Sequence, residues 1–257
     1  MPQHACGGRL WAITSYFNPA GYRSRLSNYR LFRERLAVPL VTVEWARDGR
    51  FALSPEDAAI LVQVSGGDVL WQKERLLNLA LGHLPDECDS VAWLDCDVIF
   101  ADDAWPILAS DALRRDAVVQ LFQERCDLPQ HADLGQLAIW DEPPSATSCG
   151  YNLACGNMTC VDLANNESVL KLKTTDGLAW AARRHVLARH GFYDACILGS
   201  GDRAMLCAAR MVRLSRARGV PEFHQSGPLS PLGRTVLRLC SRPRELHSRS
   251  VVPSLAR

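Results

Sequence analysis

The sequence predicts an α/β domain: a mainly parallel sheet with helices on its faces, followed by an irregular basic C-terminal segment. Two observations carry that expectation. Short apolar, β-branched runs alternate with helix-length amphipathic segments from Leu10 to Phe122. Turn residues such as Asn18-Pro19-Ala20-Gly21 and Ser65-Gly66-Gly67 close those runs. A chain of 257 residues with 47% hydrophobic and 22% charged side chains can bury one core of ordinary size, and that composition excludes disordered, collagen-like and coiled-coil classes.

Taken in order, Leu10 to Tyr16 reads as a buried strand and Ser24 to Arg35 as a helix. Residues 39–44 and 59–64 read as the second and third strands. Asp68 is placed to cap a helix from Val69 to about Leu84, which Pro85 ends. Ser90 to Leu94 is a further strand, interrupted at Asp95-Cys96-Asp97 and resumed by Val98 to Phe100. A helix over Asp103 to Leu113 and a strand over Ala117 to Phe122 follow. Residues 123–176 carry Pro129, Pro143 and Pro144 among polar clusters and read as loop-rich. Gly177 to Ala182 predicts a strand, and Arg184 to His190 a helix that Gly191 closes in the left-handed conformation. Gly199-Ser200-Gly201-Asp202 turns into a last helix from Arg203.

The charge is unevenly spread. The totals are 29 Lys+Arg and 28 Asp+Glu, yet residues 210–257 hold ten arginines against Glu222 and Glu245 alone, leaving 19 basic and 26 acidic residues in the first 209. The expected division is therefore an acidic body over residues 1–209 and an Arg/Ser/Pro-rich segment over 210–257 with little regular structure. That segment is the only part which charge alone would direct to anionic lipid or nucleic acid, and Phe223 is its one aromatic residue, so no specific nucleic acid is expected. No secretory leader and no run approaching a membrane span are visible, so the expectation is a cytoplasmic setting with most of the ten cysteines as buried, reduced thiols.

Asp95-Cys96-Asp97 is the most informative feature. Along an extended chain, residues i and i+2 point the same way, so both acids face one place while Cys96 faces the other. Two like charges at the rim of an apolar sheet are costly unless a shared proton or a cation relieves them. Mg2+ or Mn2+ suits such hard oxygen ligands and completes its shell with water and phosphate. A simple loop or cap pair is the structural alternative.

With its flanks, Val91-Ala-Trp-Leu-Asp-Cys-Asp-Val-Ile-Phe100 resembles the Asp-x-Asp segment of GT-A fold glycosyltransferases. Residues 71–78 resemble the donor-side helix that precedes it in that family. Gly177 to Leu187, Gly191 to Asp194 and Gly199 to Asp202 resemble the acceptor-side strand, helix and acidic loop. The resemblance implies a single GT-A (Rossmann-like) domain and a metal-dependent hexosyltransferase-like enzyme. It would take a nucleotide-sugar donor and pass the sugar to an acceptor hydroxyl.

In that family the second acid touches the metal most directly, which assigns Asp97 to the cation and Asp95 to the metal or the donor ribose. The resemblance also places nucleotide contacts at Tyr16, Asn18 and Glu44, although each also suits a turn or strand edge. His224, in Phe223-His224-Gln225-Ser226-Gly227, echoes a C-terminal metal-ligating histidine, but no helix or strand pattern surrounds it. Asp202 is the candidate general base for the acceptor hydroxyl, and a helix cap reads equally well. At about 100° per residue, Val69, Leu70, Leu76, Leu77, Ala80, Leu81 and Leu84 form an apolar stripe with Lys73 at its centre. Lys73 must therefore snorkel or meet an anion such as a donor phosphate. Arg75 and Asn78 lie on the opposite face, and Arg75 replaces Lys73 if the helix is rotated. Three competitors remain. One is a nucleotide-sugar-binding pseudoenzyme with an incomplete site. Another is a haloacid-dehalogenase-type phosphatase, for which the motif comes late and Lys73, Lys171 and Lys173 are the only lysines. The third is a nucleic-acid-binding protein driven by the basic tail.

Overall fold

In a computed structural model of the chain, residues 9–70, 72–128, 143–196, 199–211 and 234–238 are described. The strands are β1 (Arg9–Phe17), β2 (Leu40–Ala46), β3 (Ile60–Ser65), β4 (Cys88–Leu94), β5 (Val98–Phe100), β6 (Val118–Gln120), β7 (Glu124–Leu128), β8 (Ala146–Ser148), β9 (Thr174–Thr175), β10 (Ala179–Arg183) and β11 (Arg234–Arg238). The helices are α1 (Arg23–Arg35), α2 (Lys73–Leu81), α3 (Trp105–Leu113), α4 (Cys149–Cys155), α5 (Cys160–Ala164), α6 (Asn166–Lys171), α7 (Arg184–His190) and α8 (Gly201–Met211).

A six-stranded sheet runs β3-β2-β1-β4-β10-β6, and all its strands are parallel except β10, which pairs antiparallel with β4 and β6. The predicted α/β class with a mainly parallel sheet flanked by helices is the one observed. A second sheet, β5-β11-β7-β8-β9, takes over directly after the acid pair.

Residue size sorts the two faces of the main sheet. On one face Ala12, Ala92 and Ala181 stand in register across β1, β4 and β10, all fully buried. They leave room for Tyr16, Tyr29 and Phe32 and for Trp105 of α3, which bury against that face. On the other face the registered row is Ile13, Trp93 and Trp180, with the two indoles stacked at 6.1 Å and Phe192 edge-on to Trp93 at 5.2 Å. Here α2 packs through Leu76, Leu77 and Ala80, α7 through Leu187 and α8 through Leu206. Alternation along each strand thus builds two unlike cores, one above and one below the sheet.

Several sequence expectations change. The helix of residues 69–84 begins only at Lys73: Gly66 and Gly67 hold φ of +85° and +78°, and Asp68 turns the chain through its carbonyl, which accepts from Leu70 N–H and the Gln72 amide. Val69 and Leu70 are consequently exposed rather than part of the buried stripe. Val98–Phe100 does not resume β4 but enters the second sheet beside β11. The described residues of 123–176 hold three strands and three short helices where the sequence read as loop-rich. Those helices carry local caps instead of a long apolar period: Ser148 Oγ accepts from Tyr151 N–H, Thr159 and Asp162 form a capping box, and Asn165 accepts from Glu167 N–H. Gly191 does close α7 at positive φ, but its ψ of −173° lies outside the left-handed helical region. In the basic segment, residues 234–238 form β11, regular structure where composition predicted little.

The alanine row sets a strict volume limit. Ala92→Leu forces extra carbons against Tyr29 and Trp105 and should destabilise the fold by about 1–3 kcal/mol. In a urea titration the midpoint should fall while the slope stays unchanged.

Candidate active site

The four parallel strands β1 to β4 end on one edge of the main sheet, where β10 begins. In open α/β sheets this is the edge at which ligands gather. The Asp95-Cys96-Asp97 turn lies there, at the junction of the two sheets. Asp95 N–H donates to Leu178 O at 2.7 Å, and Val98 N–H closes the turn on Asp95 O at 3.4 Å. Cys96 points back into the core, 4% exposed, and its thiol is pushed up to about 12 by burial and by the charges of Asp97 and Asp95. The extended chain assumed from the sequence is a turn here: β4 ends at Leu94 and β5 begins at Val98, with Cys96 buried and Asp95 and Asp97 half-buried between them.

Lys73 begins α2, and its ammonium is the centre of the site. It lies 2.6 Å from Asp95 Oδ1 and 2.7 Å from Asp202 Oδ2, in a side chain only 10% exposed. Burial alone would lower its pKa; Asp202 and Asp95 reverse that and raise it, so Lys73 stays charged. Asp202, in the first turn of α8, has its own pKa raised by burial against the pull of Lys73. Its Oδ1 is buried with no hydrogen-bond partner among the described residues. The N-cap alternative for Asp202 does not describe this side chain, which faces Lys73 from inside the helix.

Glu74, next to Lys73, is a residue that sequence reasoning passed over. It is 2% exposed, and burial raises its pKa. A Cβ at Gly201 would overlap its carboxyl, and a Cβ at Gly177 would stand 2.8 Å from Asp202 Oδ2, so two glycines let α8 and the lead into β10 approach the acids. Between them, Leu178 holds φ of +77°, strained for a branched side chain, and presents the carbonyl that fixes Asp95. Gln120 braces the same segment by donating to Thr175 O and Gly177 O, and Arg203 Nε contacts Asp176 Oδ2 at 2.5 Å. Glu74 falls just past the margin of the apolar stripe, next to Leu81, which left it without a clear signal, and nothing local marks Leu178.

Asp97 sits beside the charge of Asp95. Burial and the neighbouring charge of Asp95 push its carboxyl up to about 6, and the charges of Arg25 and Lys73 offset this only in part. The other expected contacts are structural. Glu44 is buried beneath the 52–53 loop, accepting from Ala52 N–H at 2.6 Å, from Leu53 N–H and from Gln63 Nε2 at 2.9 Å. Asn78 clamps residue 192, accepting from Phe192 N–H and donating to Phe192 O. Neither carboxylate nor amide is open to a nucleotide in this arrangement. Tyr16 is 1% exposed and receives a hydrogen bond from Asn18 Nδ2, while Asn18 Oδ1 accepts from Tyr22 N–H and shapes the loop between β1 and α1. Arg75 is exposed, so the rotated-helix alternative is not the one adopted. His224 lies outside the described residues.

Among the described residues no group of three or more His, Cys, Asp or Glu side chains is placed to hold a metal ion. A divalent ion bound with a nucleotide commonly uses only one or two carboxylates and fills its shell with phosphate and water. Asp97, whose carboxyl burial and the charge of Asp95 push up, and Asp95 beside it fit that mode of binding. The eight described cysteines are free thiols, and no helix among the described residues is long and apolar enough to cross a membrane.

No family model and no curated protein matches the chain. Among solved structures it is similar to a mannosyltransferase of Pyrobaculum calidifontis in complex with GDP-Man and Mn2+, with a TM-score of 0.42 and 16% identity over 79% of this chain and 52% of that one. It therefore spans about half the length of that enzyme. It is also similar to a Drosophila β-1,4-galactosyltransferase 7 mutant in complex with manganese, UDP-Gal and xylobiose (TM-score 0.38, 11% identity, 91% of this chain and 66% of that one). A third likeness is to 4-diphosphocytidyl-2C-methyl-D-erythritol synthase of Anaerococcus prevotii (TM-score 0.34, 14% identity, 71% and 73% of the two chains).

The Asp97 environment gives a pH signature. Its folded-state value, about 6, lies above the ordinary 3.8, so ionisation opposes folding: this penalty is absent below the ordinary value and grows as pH rises through about 6. Asp97→Asn should therefore stabilise the protein at pH 8 by about 1–3 kcal/mol, with the difference shrinking toward zero near pH 4, as read from urea unfolding across that range.

Proposed function

We propose that the protein is a glycosyltransferase that moves a sugar from a nucleoside-diphosphate donor to a hydroxyl acceptor at the Asp95, Asp97, Lys73 and Asp202 cluster. The observation that carries the reading is the Lys73 bridge. It joins the acid turn after β4 to a carboxylate 129 residues from the lysine in sequence, at the ligand-binding edge of an α/β sheet. A donor end and an acceptor end of one reaction require that separation of roles within one short span.

Mg2+ or Mn2+ held through Asp97 and Asp95 would supply positive charge to the departing diphosphate. Lys73 offsets in part the effect of burial on Asp202 and aims it by holding Oδ2, which leaves the unpartnered Oδ1 as the atom that accepts the acceptor hydroxyl's proton. The acceptor oxygen then bonds to the anomeric carbon as the carbon–oxygen bond to the diphosphate breaks, and the nucleoside diphosphate leaves with that electron pair. Burial of Lys73, Glu74 and Asp202 keeps water from screening these charges.

Binding of GDP, UDP and their sugars, measured with and without Mn2+, tests the reading together with donor hydrolysis. The expected result is metal-dependent binding that Asp97→Asn weakens about tenfold or more. Asp202→Asn should retain donor binding and lower hydrolysis about a hundredfold or more. Metal-dependent binding with no hydrolysis by the wild type would favour the alternative, a nucleotide-sugar-binding protein without turnover. No nucleoside diphosphate bound under any condition would overturn both.

A further inference from the structure

We propose that Lys73 is the site's own counter-ion and selects the form in which a cation can enter: the bare divalent ion is excluded, and the ion is admitted only with a nucleoside diphosphate. This rests on the reading of the site as a nucleotide-sugar site and adds a rule for what it binds.

The ammonium holds Asp95, one of the two acids that the cation would use, and ties it to Asp202. Its contacts to Asp95 Oδ1 and Asp202 Oδ2 are both at charge-assisted hydrogen-bond distance. The side chain is 10% exposed, so Lys73 cannot give up one carboxylate for water; it must exchange it for another anion. A divalent ion arriving alone at Asp95 would share one carboxylate with the ammonium in a shielded environment, where like charges repel more strongly than in water. Asp97 alone then remains for the bare ion, a single carboxylate with the charge of Lys73 nearby. Asp202 is tied in turn, because Gly177 and Gly201 pack α8 and the lead into β10 against it and Glu74 with no room for a Cβ.

A diphosphate removes the conflict. It brings several negative charges, offers oxygens to the metal ion and gives the ammonium a replacement for Asp95. Lys73 begins α2, so a phosphate there also meets the positive end of that helix. Asp95 is then free to join Asp97 on the incoming ion while Lys73 keeps its hold on Asp202. The lysine is thus a positioning residue, and the partner it exchanges is Asp95.

The test is the protein-bound Mn2+, taken as the fall in the free-ion electron paramagnetic resonance signal beyond that of the same nucleotide without protein, for the full chain and for Lys73→Gln, with no nucleotide and with GDP or UDP. The wild type is expected to leave Mn2+ free until a nucleoside diphosphate is added, whereas Lys73→Gln binds the bare ion about tenfold or more tightly than the wild type does. Wild type that binds Mn2+ alone as tightly as with GDP or UDP overturns the proposal, and that outcome does not depend on the variant folding. A folded Lys73→Gln that binds the bare ion no better also overturns it. If Lys73→Gln takes up bare Mn2+ but neither nucleotide recruits it to the wild type, exclusion by the lysine stands and the nucleotide-sugar reading fails.

Discussion

A charged ammonium held out of water between two carboxylates is the interaction on which the site depends. Removing a lysine and two aspartates from solvent is expensive, and such a triad persists only when the surrounding structure fixes the partners closely. Here each member is fixed from a different direction. Lys73 is held by the first turn of α2, whose apolar face packs on the strands. Asp95 is held by its backbone bond to Leu178 and Asp202 by the start of α8. The ion triad therefore reports on the registration of three elements distant in sequence.

The rest of the fold serves that registration. The alanine row lets the aromatic residues of α1 and α3 lie close to the sheet, and the indole stack of Trp93 and Trp180 ties β4 to antiparallel β10. This pairing brings the strained Leu178 beside the acid turn. The positive φ of Leu178 costs on the order of 1–3 kcal/mol, which the cross-strand pairing around it must offset. The chain leaves one sheet for the other at Asp95 to Asp97, so the two acids lie where neither ladder claims the backbone.

Much of this was legible in the sequence because it is local. Short apolar, β-branched runs located the strands of the main sheet, and Asp95-Cys96-Asp97 at the end of one of them marked the sheet edge. Lys73 at the centre of an apolar stripe announced a buried cation, although its partners proved to be the protein's own acids. What sequence did not show is what depends on distant partners. Glu44 and Asn78 look like ligands until the 52–53 loop and residue 192 are folded onto them. The short capped helices of residues 149–171 have no period to detect, and β11 owes its place to β5 and β7 rather than to its own composition.

A double-mutant cycle between Lys73 and Asp202 tests the central claim most directly. Stabilities of the wild type, Lys73→Met, Asp202→Asn and the double variant are compared by urea unfolding at pH 7. If the ammonium and the carboxylate are bound to each other in the folded protein, the double variant should be more stable than the sum of the single losses requires, with a coupling of about 2 kcal/mol or more. Losses that add to within about 0.5 kcal/mol would contradict it.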